Sequence, residues 1–162
     1  MNDLPPRVDP GTVESIHIAP AAGAPMLPVS QVRAVAGVGL EGDRYAAGTG
    51  HYSGDAKVDR DLTLIEAEEI EALADRAGIV LAAGETRRNV TTRGIRLNEL
   101  VGRRFRVGGV LCEGTRLCEP CQYLTELLGK PVLEPLVHRA GLRARILTDG
   151  EIALGDEVVV LD

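Results

Sequence analysis

Aromatic side chains are nearly missing from this chain, which has one Phe, three Tyr and no Trp among 162 residues. Its core must therefore be aliphatic, and the apolar fraction of 44% is enough to build one in a single domain of this length. Lysine is just as scarce. Lys57 and Lys130 are the only two, so arginine dominates the 18 basic residues, and the formal net charge is −6. That balance excludes general affinity for nucleic acid or anionic membrane, but local arginine clusters still suit planar, bidentate recognition of phosphate or carboxylate. A codon bias toward arginine is the simpler account of the ratio.

No apolar run approaches the roughly 20 residues of a membrane span. Met1-Asn2-Asp3-Leu4-Pro5-Pro6 lacks the basic and apolar regions of a signal peptide, so a cytoplasmic location is expected. In that compartment three cysteines, an odd count, point to metal binding, catalysis or inert burial rather than disulfides.

Glycine and proline are plentiful, at 19 and nine residues. They imply many tight turns and favour a mainly β fold with a few helices (α+β) over a helical bundle.

Residues 1–12 read as a flexible leader and 13–162 as the folded domain. Alternation predicts strands over Val13–Ala19, Val29–Val35, Asp61–Ile65, Arg104–Val107, Val110–Gly114, Arg143–Leu147 and Val158–Leu161. Gly108-Gly109 is a hairpin turn, and Cys112 in the returning strand reads as a small buried hydrophobe. A helix is predicted over Glu66–Ala77, stopped by Gly78, with Glu66, Glu68 and Glu69 read as a solvated, acidic helix start.

Two loops carry candidate ligand chemistry. The glycine-rich stretch 37–55 does not have the spacing of a nucleotide phosphate loop, and its His51 is a possible accessory ligand or proton carrier. The stretch Gly84–Ile95 packs Arg87, Arg88 and Arg93 together, and an anion between them would relieve their repulsion.

The central feature is Cys118-Glu119-Pro120-Cys121. With Pro120 as first helical residue, Cys121 falls in the first turn, where free N–H groups and the helix dipole stabilise a thiolate. Cys121, Leu124 and Leu128 then share a face, and Gly129 stops the helix. Spacing alone leaves three readings open: half of a zinc site completed by Cys112, His51 or His138; a thioredoxin-like dithiol; or one thiolate holding sulfur or a soft metal.

The motifs around this stretch resemble the MOSC family, the domain homologous to the C-terminal part of molybdenum cofactor sulfurases. They run in order: Gly39-Leu40-Glu41-Gly42-Asp43-Arg44; Gly84-Glu85 with Arg88-Asn89-Val90-Thr91; Gly94-Ile95, Leu97 and Leu100-Val101-Gly102; Phe105 with Gly108; Pro120-Cys121; and Gly155-Asp156. The resemblance implies a β-barrel similar to the barrel domain of pyruvate kinase. It implies Cys121 as the functional thiol, carrying persulfide sulfur or binding the molybdenum of a pterin cofactor (molybdopterin). Arg88, Asn89 and Thr91 match the family's basic and polar segment and would face the cofactor phosphate. Arg143 is a further candidate because it follows the helical region near the last strands.

No PLP-binding domain accompanies these motifs, so sulfur would come from a donor or cofactor-biosynthesis protein, and reduction of N-hydroxylated compounds would need a redox partner. Cys118 departs from the family pattern; it would resolve a persulfide, add a metal ligand or stay silent. A non-catalytic cofactor chaperone or a zinc-stabilised binding module is the alternative.

Overall fold

The computed structural model describes residues 9–44, 46 and 61–161. Seven strands close into a barrel. Going round it they are β1 (Gly11–Ile18), β11 (Glu157–Val160), β7 (Arg104–Val107), β8 (Val110–Leu117), β9 (Leu142–Ile146), β5 (Leu62–Glu66) and β6 (Val90–Arg93), which pairs again with β1. All these pairings are antiparallel except β5 with β6, whose crossover carries helix α1 (Ala67–Ala77). Strand β2 (Leu27–Val29) adds to β1, while β3 (Gln31–Val35), β4 (Gly39–Leu40) and β10 (Gly150–Ala153) form a separate three-stranded sheet.

Period-two patterning fills the barrel. Phe105 and Val107 point inward while Arg104 and Arg106 face out; across the ladder Val110, Cys112, Leu142, Ala144 and Ile146 complete the interior. Full burial of each such side chain contributes roughly 1.5–3 kcal/mol, enough for an aliphatic core to hold the fold with one Phe. Cys112 belongs to this core as expected, and burial, with the Asp61 carboxylate as a smaller cause, pushes its thiol up to about 12.

Several boundaries differ from expectation for physical reasons. β1 begins at Gly11, inside the stretch read as a leader, because Gly11 and Thr12 pair with Val158 and Glu157 to close the barrel. The run 29–35 is broken at Ser30, whose carbonyl accepts the Leu154 N–H; the two halves enter different sheets. α1 starts at Ala67, with Glu66 as its extended N-cap.

Glu66 is not solvated. Its carboxylate accepts the Leu97 N–H at 3.1 Å and lies 3.6 Å from Arg96, while burial raises its pKa above the usual carboxylate range. Glu68 likewise accepts the Gly94 N–H at 2.7 Å. Glu66 and Glu68 thus clamp the 94–97 turn, while Glu69 lies 3.6 Å from Arg139.

Outside the barrel a second apolar cluster joins Leu73 and Leu81 to Leu124, Val132, Leu136 and Ala140. Helix α2 (Gln122–Leu128) docks on it, and Cys121 packs at its edge.

Candidate functional site

A β-bulge builds the floor of the site. The β8–β9 register runs Gly114 to Ala144 and then jumps to Arg116 against Arg143, leaving Thr115 as the extra residue, its hydroxyl donating to the Arg143 carbonyl at 3.0 Å. Bulges re-aim side chains, and here the bulge lets Arg116 stand beside Arg143. On the next strand Thr63 pairs with Arg143, so Thr63, Arg143 and Arg116 form a row across β5, β9 and β8.

The chain then passes over this row. Cys118 N–H donates to the Gly141 carbonyl at 2.8 Å. Gly141 has φ of 110°, and a Cβ there would lie 1.9 Å from the Leu64 carbonyl oxygen, so only glycine lets the two segments approach. Residues 118–121 make no turn. Cys121 itself is extended (φ −138°, ψ 167°) and is the N-cap of α2, not a residue of its first turn. Pro120 therefore precedes the cap, and with only seven residues α2 offers a weaker dipole than the sequence pattern implied. Cys121 is half-buried, whereas Cys118 is 2% exposed.

Arg88 holds the crossing in place. Its Nε donates to the Ala140 carbonyl at 2.8 Å, and its Nη2 to the carbonyls of Cys118 at 3.0 Å and Glu119 at 3.3 Å. Glu119 is fixed from the other side, its carboxylate accepting the His138 N–H at 2.7 Å and meeting His138 Nδ1 at 2.6 Å. Arg44, almost fully buried, pairs with Asp43 at 3.0 Å and donates to the Arg87 carbonyl at 3.1 Å. Arg87, with a left-handed φ of 63°, donates to the Ala24 carbonyl.

These elements enclose a cavity of about 240 Å³. Among the described residues five arginines line it (Arg44, itself paired with Asp43, and Arg87, Arg88, Arg116 and Arg143) against one lining carboxylate, Glu119; Cys118, Cys121 and Tyr123 share its wall. A partly enclosed, strongly cationic cavity with a soft sulfur on its rim can bind an anion and present it to a thiol.

Of the residues singled out from sequence, Cys121, Cys118, Arg88 and Arg143 meet in this cavity. Asn89 and Thr91 do not line it. Asn89 stitches β5 to β6, its Oδ1 accepting the Thr63 N–H at 3.2 Å and its Nδ2 donating to the His17 carbonyl at 3.2 Å. Thr91 is buried within β6. Arg93 leaves the arginine group, pairing outside with Glu14 at 2.6 Å and Glu71 at 2.9 Å. His51 lies outside the described residues. The accessory zinc ligands are dispersed: Cys112 is in the barrel core and His138 is engaged by Glu119; among the described residues no three His, Cys, Asp or Glu side chains converge.

Arg87, read from sequence only as part of the arginine group of 84–95, also lines the cavity; Arg44, Arg116 and Tyr123 were not chosen as site residues. One signal for Arg116 was present: Cys112, Gly114 and Arg116 have the same parity, and an unbroken strand would send that arginine into an aliphatic core.

The model of the MOSC domain matches residues 31–159. This chain belongs to the MOSC family. The family is associated with molybdenum cofactor sulfurase-like proteins. Among solved structures, the MOSC chain is similar to the YuaD protein from Bacillus subtilis (18% identity, 94% of this chain and 96% of that one, TM-score 0.80). It is also similar to YiiM from Geobacillus stearothermophilus (19% identity, 94% and 76%, TM-score 0.71) and YiiM from Escherichia coli (18%, 98% and 71%, TM-score 0.65). At these identities the likeness concerns the fold. No curated protein matches the chain.

Proposed function

We propose that this MOSC domain binds the phosphate-bearing pterin cofactor of molybdenum, or carries sulfur for it, with Cys121 as the working thiol. One observation carries the reading: five arginines and the half-buried Cys121 face a single cavity. The donor set fits the group, since guanidinium groups match phosphate and a thiolate is the soft ligand molybdenum and sulfur both take. Arg87, Arg116 and Arg143 would hold the phosphate, while Arg44, tied to Asp43 and to the Arg87 carbonyl, would position Arg87. Arg88, committed to three backbone carbonyls beyond its own turn, positions the Cys118–Cys121 crossing.

As a sulfur carrier, the Cys121 thiolate would attack the outer sulfur of a donor protein's persulfide. An S–S bond forms at Cys121 and the donor thiolate leaves, with no net oxidation. Bound in the cavity, the molybdenum cofactor would supply two-electron redox chemistry, such as reduction of an N-hydroxylated compound to the amine and water with electrons from a redox partner. Under this reading the chain works in the cytoplasm beside a sulfur donor or cofactor-biosynthesis protein.

The test is elemental and mass analysis of protein purified from a host that makes molybdenum cofactor. Molybdenum with pterin, or a persulfide on Cys121, is expected, and Cys121→Ser abolishes either one while Cys118→Ser keeps it. Stoichiometric zinc with neither molybdenum, pterin nor persulfide overturns the reading in favour of a zinc-stabilised module. Molybdenum cofactor bound without turnover of any N-hydroxylated compound supports the chaperone form.

A further inference from the structure

The cations of the cavity and its sulfur together restrict what can react there. Its volume of about 240 Å³ lies below the roughly 300–1,000 Å³ of sites that enclose a whole organic ligand, yet it is ample for a small oxyanion. Size therefore admits a complete molecule only if that molecule is small.

Charge selects further. Arg88 is committed to backbone carbonyls and Arg44 to Asp43, which leaves Arg87, Arg116 and Arg143 as the cations that face a ligand among the described residues. The one lining carboxylate, Glu119, has both its oxygens engaged by His138. The occupant is an anion.

The sulfur selects the reaction. Cys112 is in the barrel core and Cys118 is 2% exposed, so Cys121, half-buried on the cavity wall, is the thiol that a solute can reach. A thiolate and an anion repel each other in water, and guanidinium groups around both remove that repulsion. A small anion that carries its own transferable sulfur meets every one of these demands. Thiosulfate and the organic thiosulfonates are of this class, with sulfonyl oxygens for the arginines and a terminal sulfur for the thiol.

We infer that the cavity is a site of sulfur transfer from such an anion, so that the donor to Cys121 need not be a protein. The Cys121 thiolate attacks the terminal sulfur of thiosulfate. A new S–S bond forms at Cys121, the S–S bond of thiosulfate breaks, and its electron pair leaves on sulfite. Cys121 becomes a persulfide anion, and one sulfur atom has moved with no external oxidant or reductant. Negative charge gathers on the sulfite oxygens as the bond breaks, and the preformed arginine wall, with Arg116 and Arg143 opposite one another on β8 and β9, stabilises it there. This rests on the reading of Cys121 as a sulfur carrier beside an anion cavity and adds to it the class of the donor.

The test begins with protein stripped of bound sulfur by dithiothreitol, freed of the reductant and mixed with thiosulfate. Sulfite equimolar with the protein is expected, together with a mass gain of one sulfur atom on the Cys121 peptide. Added cyanide should take that sulfur as thiocyanate, restore the thiolate and allow repeated turnover. Inorganic phosphate should compete, raising KM for thiosulfate without changing kcat. Arg143→Gln is expected to lower kcat/KM about 100-fold, as for loss of one preorganised donor to a developing oxyanion. Arg106→Gln, exposed on β7 and outside the cavity, should leave kcat/KM unchanged.

Sulfite release that persists in Cys121→Ser, or that is indifferent both to phosphate and to Arg143→Gln, overturns the inference. Absence of sulfite from a chain that is purified with sulfur on Cys121 overturns the small donor and leaves the carrier reading standing, with a protein as the source. Absence of sulfite from a chain that also carries no sulfur as purified overturns the donor and the carrier together.

Discussion

Arg116 and Arg143 stand directly opposite one another across the β8–β9 ladder, both on the wall of one cavity. Like charges in that relation destabilise a sheet by a few tenths to about 1 kcal/mol, and a bound anion between them reverses the sign.

Replacing either arginine by Gln should therefore separate ligand from fold. Without phosphate, Arg116→Gln and Arg143→Gln are expected to keep a cooperative thermal transition within about 5 °C of the wild-type one. Phosphate binding should weaken about tenfold or more, the loss of one charged hydrogen bond of roughly 1.5–3 kcal/mol. Thermal unfolding with and without phosphate, together with calorimetric titration, checks both. A large fall in ligand-free stability would make the pair part of the framework instead.

Arg88 predicts the opposite pattern. Its guanidinium serves the carbonyls of Ala140, Cys118 and Glu119, so Arg88→Met strands buried acceptors and should cost about 3 kcal/mol or more in urea unfolding. Arg88→Lys, lacking the planar fork, should recover only part of that. Wild-type stability in Arg88→Met would show that the side chain serves the ligand and not the crossing.

The three thiols should be chemically unequal. With iodoacetamide at pH 8, peptide mapping of the native protein is expected to find Cys121 modified, and Cys118 and Cys112 (2% and 0% exposed) protected. Raising the pH to 10 should not open Cys112, because its thiol, pushed up to about 12, is still protonated there. Urea should expose all three. Native labelling of Cys118 at the rate of Cys121 would restore the dithiol reading.

What could be read beforehand was local. The hairpin through Gly108-Gly109, helix α1 with its Gly78 stop and the inward Cys112 all follow from patterns a few residues long. Pairings between distant segments were not legible. Nothing near Ser30 says that its two flanks join different sheets, and nothing near Gly11 shows that it begins a strand.

The site divides the same way. The place of Cys121 at the start of a helix was legible from Pro120 and the apolar spacing that follows, although the extended backbone at the cap moves it out of the first turn. Asn89 and Thr91 look like ligand residues in a line of sequence, yet the β5–β6 pairing turns one into a stitch and buries the other in β6. Arg116 was hidden for a different reason: its place depends on one extra residue, Thr115, whose effect exists only once β9 is alongside.

The seam between β1 and β11 joins Gly11 to Val158, residues at nearly opposite ends of the sequence. Such pairing gives a high contact order, and folds dominated by it take milliseconds to seconds to assemble. On a ribosome the wall containing Arg116 and Arg143 emerges before the strand that closes the ring. A truncated product lacking β11 would leave the β1 and β7 edges unpaired and expose barrel interior to chaperones.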